Sequence, residues 1–210
     1  MGSLVSAIQG RSPLEALNQP RFAFAAWSVG TYRAERAPLL ESLEAGGAHH
    51  ALHVEGEPEP PPDPERPRVV PSNAPPGPFS FVTIGGGGQL EHYHRHMLTH
   101  ATVLAPRGNG LDTLRAWEAL YLGRMVITKN STLDPVWADL PVWVVNEWSE
   151  VSEGGVRDKV REFTAGREKL ATVKLYMFYW ACELGRAAGR ADEFCSISGL
   201  EGTLARPDYE

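Results

Sequence analysis

The stretch that decides the fold is Ala101-Thr-Val-Leu104, Ala105-Pro-Arg-Gly-Asn-Gly-Leu-Asp-Thr-Leu-Arg-Ala-Trp-Glu-Ala-Leu-Tyr-Leu-Gly-Arg124 and Met125-Val-Ile-Thr128. Two short apolar runs flank a glycine-containing loop and a segment with helical spacing over Thr113–Leu122, which is the order strand, loop, helix, strand. Connections this short favour a parallel sheet. Right-handed crossovers then gather the strand-to-helix loops along one edge of it.

Outward from this unit the alternation continues. Upstream, a helix is expected through Thr99 from Leu90, and Phe79–Ile84 reads as a strand ended by Gly85–Gly88. Further back, Phe22–Trp27 is a buried strand bounded by Pro20 and Gly30, Glu35–Ala45 a helix with Pro38 in its first turn, and Ala51–Val54 a weaker strand. Downstream come a strand at Val142–Val145 and helices at Val156–Phe163 and Glu168–Leu184. Between Glu55 and Pro78 stand ten of the 17 prolines, mixed with acidic residues, so 55–78 reads as an inserted loop. The expected organisation is an N-terminal extension over 1–19, one domain over 20–185 carrying that insertion, and a tail over 186–210.

Composition narrows the function. The chain has 210 residues, 42% hydrophobic and 22% charged, enough for a sizeable core. Its formal net charge of -6 gives no electrostatic reason to expect a nucleic-acid partner. Two cysteines, Cys182 and Cys195, are too few for a disulfide scaffold; they either pair or pack. The sequence has no apolar run of signal-peptide or membrane-span character, so it reads as a soluble chain.

The loop after the strand at 101–104 is a phosphate-binding arrangement. Gly108 and Gly110 allow close backbone approach, Asp112 is positioned to cap the helix, and the first-turn N–H groups attract anions. Arg107 adds a fixed positive charge. Arg115 and Glu118 lie one turn apart on the helix, so the guanidinium sits nearer the positive end and the carboxylate deeper on the same face. Such a carboxylate can accept ribose hydroxyls and such an arginine can neutralise phosphate oxygens; the alternative is an exposed ion pair of little consequence.

Pro106–Gly123 resembles the sequence motif of exostosin-like glycosyltransferases of the GT-B type. Met125–Thr128, Ser131–Pro135, Asp139–Val142 and Trp148–Val151 are similar to the segments that follow in that family, and Tyr93 with Leu98–His100 to those that precede. A looser likeness covers Phe22–Leu40, where Arg33 and Arg36 would emerge at the first strand's carboxyl end.

The resemblance implies a Rossmann-like parallel sheet with flanking helices, equivalent to the C-terminal half of a GT-B enzyme. It implies a UDP-sugar as donor substrate, transfer to a glycan or glycoprotein hydroxyl with inversion, no required cofactor or metal, and a Golgi or other secretory setting. Membrane attachment would come only through an anchor elsewhere in a parent protein. The diphosphate would be held by Arg33, Arg36, Arg107, Gly108, Asn109, Gly110 and Arg115, the ribose by Glu118, and the sugar by Asp112 and Thr113. A complete GT-B enzyme carries an acceptor domain before the first strand, whereas only about 20 residues precede Phe22 here. No catalytic base is therefore assigned, and a non-catalytic nucleotide-sugar-binding or interaction domain is the alternative reading. The rival signal is His92, His96 and His100, which recur every four residues on one helix face and can be read as a zinc site. The helix carries no obvious second-shell carboxylate for it.

Overall fold

The computed structural model describes residues 12–50, 76–85, 90–166, 170–190 and Cys195. The expected strand at 51–54 and the loop 55–78, apart from its last three residues, lie outside them. The chain divides into two compact units, 1–167 and 168–210. The sequence-based boundary at 185 falls inside the second.

The first unit runs α1 (Pro13–Ala16), β1 (Ala23–Ala25), α2 (Arg33–Ala45), β2 (His49–His50), β3 (Val82–Ile84), α3 (Leu90–Thr99), β4 (Thr102–Leu104), α4 (Leu114–Tyr121), β5 (Met125–Lys129), α5 (Asp134–Trp137), β6 (Val142–Val145) and α6 (Glu153–Ala165). Six strands form one parallel sheet in the order β2-β3-β1-β4-β5-β6. β1, β3 and β4 are buried along their whole length, as both-sided coverage of a parallel sheet requires.

Side-chain alternation assigns the layers. Ala23, Ala25, Val82, Ile84, Leu104 and Ile127 join Leu39 and Leu43 of α2 and Val156 and Val160 of α6 in one core. The intervening Phe24 turns the other way, where its ring meets Tyr93, His96 and His100 from α3 and the residue after it. The unit is thus an α/β sandwich with a Rossmann-like parallel sheet between two helical layers.

Three local readings are corrected. Residues 12–19 are part of the domain rather than an extension: Ser12 and Glu15 form a capping box that starts α1, and Ala16 and Leu17 enter the core. Arg157 of α6 secures them, donating to the Leu17 carbonyl at 2.6 Å while its guanidinium lies over the Phe22 ring. Secondly, α2 begins at Arg33, so Pro38 sits inside the helix instead of in its first turn. Thirdly, no continuous helix spans 168–184; a 3-10 turn at Thr172–Leu175 precedes α7 (Met177–Ala187). Trp180 of α7 donates its indole N–H to the Lys174 carbonyl, and Cys182 is disulfide-bonded to Cys195. Among the described residues no helix is long and apolar enough to cross a membrane.

Candidate functional site

From β1 the chain leaves toward β2 and β3, and from β4 it leaves toward β5. These neighbouring strands therefore send their following helices, α2 and α4, to opposite faces, and a crevice opens beyond their carboxyl ends. The crevice walls are the turn 28–32 after β1 and the loop 105–113 after β4.

Arg36 ties the two walls together. Only 5% exposed, it donates from Nε to the Arg107 carbonyl at 2.8 Å, from Nη1 to the Ser28 carbonyl at 3.1 Å and from Nη2 to the Pro106 carbonyl at 3.4 Å. A planar guanidinium is suited to this because its donors diverge in a fixed fork. Gly108 makes room for it: a Cβ there would stand 3.0 Å from Arg36 Nη2. The glycine thus serves close packing against an arginine, where the sequence suggested only close approach to a ligand. Arg107 reinforces the junction by lying over the Tyr32 ring, 4.1 Å from its centroid. The start of the β4 loop is fixed by Ala105, whose N–H donates to the Ile127 carbonyl and whose carbonyl accepts from the Thr128 hydroxyl.

Helix α4 starts with Thr113, not Asp112, as its cap: the Thr113 hydroxyl accepts from the Ala116 N–H. Asp112 instead accepts from the Trp117 indole N–H at 3.2 Å. The N–H groups ahead of Ala116 point out of the helix start, where an anion is favoured. The helix ends at Gly123, whose φ of +68 suits glycine, and Arg124 follows. Arg124 donates to the carbonyls of Leu122 and His100, and burial lowers its pKa to about 10, leaving it charged at neutral pH.

A cavity of about 480 Å³ lies in the crevice, lined by Arg36, Tyr93, Gly108, Asn109, Asp112, Thr113, Leu114, Arg115 and Glu118. That is within the span of small-molecule sites. Of the residues expected to hold a donor, the cavity gathers Arg36, Gly108, Asn109, Asp112, Thr113, Arg115 and Glu118. Arg33 is exposed at the start of α2 and outside the lining; Arg107 and Gly110 flank it.

The cavity lining sets the guanidiniums of Arg36 and Arg115 beside the carboxylates of Asp112 and Glu118. Burial first, and then the charge of Arg115, hold Arg36 below the ordinary arginine value, with Glu35 acting in the opposite direction. Burial also lowers Arg115, while Tyr93 and Glu118 oppose the shift. Two guanidiniums that repel one another at a desolvated cleft are relieved by an anion between them. The Nε atoms of Arg107 and Arg115 are buried without a hydrogen-bond partner.

Helix α3 contributes what the sequence left without a role. Tyr93 shares the cavity lining with Arg115 and Glu118, and burial is the main cause holding its phenol above the usual tyrosine value. His94 Nε2 stands 3.6 Å from Glu118 Oε1. Glu118 therefore faces α3 as well as the cavity, unlike a carboxylate in an exposed surface pair. The available signal was the spacing of Tyr93 and His94, adjacent on a helix that precedes β4, but nothing in the sequence aligned them with α4.

His96 and His100 pack at the end of α3. His96 stacks on Phe24, and His100 accepts or donates at Thr83 Oγ1 over 2.9 Å from Nε2 while its Nδ1 meets the His96 carbonyl. The His92 side chain lies outside the described residues. Among those described, no group of three His, Cys, Asp or Glu could hold a metal ion. Asp134 is a turn residue, its Oδ1 accepting from the Ser131 N–H, and Asp139 lies at a φ of 62 in the turn before β6.

Fold and cleft together define a parallel α/β protein with an arginine-lined helix-start pocket at its topological switch point. No protein-family model matches the chain, and no curated protein matches it.

Proposed function

We propose that this protein binds a nucleoside-diphosphate sugar, UDP-linked, and acts as the donor-binding half of an exostosin-like glycosyltransferase of the GT-B type. The observation that carries the reading is the switch-point cavity, which brings two guanidiniums, the start of α4 and the Glu118 carboxylate to one crevice. In this reading the diphosphate lies against the α4 start between Arg36 and Arg115, and Glu118 accepts the ribose hydroxyls. Asp112 and Thr113 of the lining would contact the sugar, beside Leu114, which is 80% exposed.

Transfer to a glycan hydroxyl with inversion breaks the bond between the anomeric carbon and the diphosphate oxygen. Negative charge grows on that oxygen, and the arginines with the helix-start N–H groups stabilise it as it leaves. The acceptor hydroxyl gives up its proton to a general base that none of these residues supplies in this reading. The Cys182–Cys195 disulfide suits a secretory setting, where such bridges persist.

Calorimetric titration with UDP tests the reading. Binding is expected in wild type, and Arg115→Ala and Glu118→Ala are each expected to weaken it about tenfold or more, the usual scale for losing a charged hydrogen-bond partner. Folded wild-type protein that binds no UDP would overturn the function. Binding unchanged in both variants would overturn this arrangement of the nucleotide.

A further inference from the structure

The crevice lining carries two guanidiniums, Arg36 and Arg115, against two carboxylates, Asp112 and Glu118. In the arrangement above both guanidiniums go to the diphosphate and Glu118 to the ribose, so Asp112 is the charged group left for whatever the diphosphate carries. It is held in place. Its Oδ2 accepts from the Trp117 indole N–H at 3.2 Å, and the Trp117 ring lies 5.1 Å, centroid to centroid, from Trp137, which is buried in α5. Its Oδ1 stands close over Gly110, where an added Cβ would come within 3.3 Å of it. One oxygen thus serves the indole, and the carboxylate has lone pairs left for a ligand hydroxyl. Of the other arginines near the crevice, Arg107 lies over the Tyr32 ring, and Arg33 is exposed at the start of α2, outside the lining.

We propose that the crevice takes a nucleoside diphosphate joined to an uncharged sugar, and that Asp112, held by Trp117, is the residue that rejects a uronic acid in its place. This rests on the function proposed above. A sugar hydroxyl can donate to Asp112, whereas a sugar carboxylate has no proton to give and brings a like charge against it. Among the described residues the lining offers no third guanidinium to offset that charge. Repulsion discriminates only if the repelling group stays where it is, since a free aspartate would swing aside at little cost. Here the swing breaks the bond to the indole, and the indole is packed on a buried ring, so the carboxylate keeps its place against the wrong ligand.

The test is calorimetric titration of the full chain with UDP, UDP-glucose and UDP-glucuronate, the two sugars differing only in a hydroxymethyl against a carboxylate. Wild type is expected to bind UDP-glucuronate about tenfold or more weakly than UDP-glucose. In Asp112→Asn, which keeps the shape and loses the charge, the ratio is expected to fall to about twofold. Trp117→Phe keeps an aromatic ring beside Trp137 but donates nothing to Asp112, and its ratio is expected between those two values. Because each ratio compares two ligands within one variant, a general loss of stability or of diphosphate affinity does not move it. Equal affinity of wild type for the two sugars overturns the proposal and leaves the UDP site standing. The full wild-type ratio in either variant overturns it as well. If wild type binds no UDP, both this inference and the function on which it rests fall.

Discussion

Replacing Arg36 with methionine is expected to lower the unfolding free energy by about 3–5 kcal/mol, since each orphaned buried acceptor costs on the order of 1–3 kcal/mol and relaxation recovers part of the sum. The three carbonyls it serves, on Ser28, Pro106 and Arg107, belong to two loops 78 or more positions apart in sequence. Methionine fills the aliphatic space of the arginine stem but donates nothing. Arg36→Lys is expected to recover less than half of the loss, because one ammonium cannot reach three diverging acceptors. Urea denaturation measures it: a loss below about 1 kcal/mol would mean that water replaces the arginine and that the two loops are held by other contacts. The same substitution removes positive charge from the cavity, so nucleotide affinity should fall even under conditions where the variant is folded.

Phe24→Ala is the second large effect, expected at about 3–5 kcal/mol, the range for truncating a buried phenylalanine. Phe24 is 1% exposed, and its ring is the platform under Tyr93, His96 and His100. The void cannot be closed by sliding α3 inward, because His100 is fixed through Thr83 on β3 and the backbone carbonyl of His96. A consequence for the site follows. With its platform gone, Tyr93 loses its fixed place, so a variant refolded at low temperature should bind UDP more weakly although Phe24 touches no ligand. Phe24→Leu keeps most of the volume and is expected to retain both properties in large part. Equal losses in the alanine and leucine variants would show that the ring's shape, and not the space it fills, is what matters.

Much of the sheet was legible in short apolar runs. Val142–Val145 is a strand with the bounds its β-branched, apolar composition suggests, and Thr102–Leu104 and Met125–Lys129 fall where unbroken hydrophobic runs meet helix-stop and turn residues. The order of the strands was not legible. That β3 lies between β1 and β2 depends on pairing across a long intervening segment, and two residues such as His49-His50 carry no periodicity from which to read an edge strand. The start of the domain is only faintly marked, because Ser12-Pro-Leu-Glu15 has the capping-box spacing but opens a helix of a single turn.

The candidate site divides in the same way. Its backbone frame, a glycine loop feeding the first turn of α4, follows from local sequence. Its side-chain chemistry rests on partners far away: Arg36 meets residues about 70 positions on, and Tyr93 of α3 lines the same cavity as Arg115 and Glu118 of α4. Spacing alone therefore gave Arg36 to a ligand without the three backbone carbonyls that also hold it, and it gave Arg115 and Glu118 their separate roles without the α3 side chains that stand beside them. Asp112 and Thr113 were one position apart in the capping role, a difference that depends on which side chain turns back toward Ala116 and which toward Trp117.

The central claim is that the crevice between the β1 and β4 loops is a nucleotide-diphosphate site, and amide chemical-shift mapping during a UDP titration tests it most directly. The account predicts saturable shifts concentrated at Gly108, Asn109, Gly110, Leu114 and Arg115, with smaller ones on α3 around Tyr93, and none of comparable size at β6 or α6. Saturable shifts centred elsewhere on the sheet, or no shifts at all in folded protein, would contradict it.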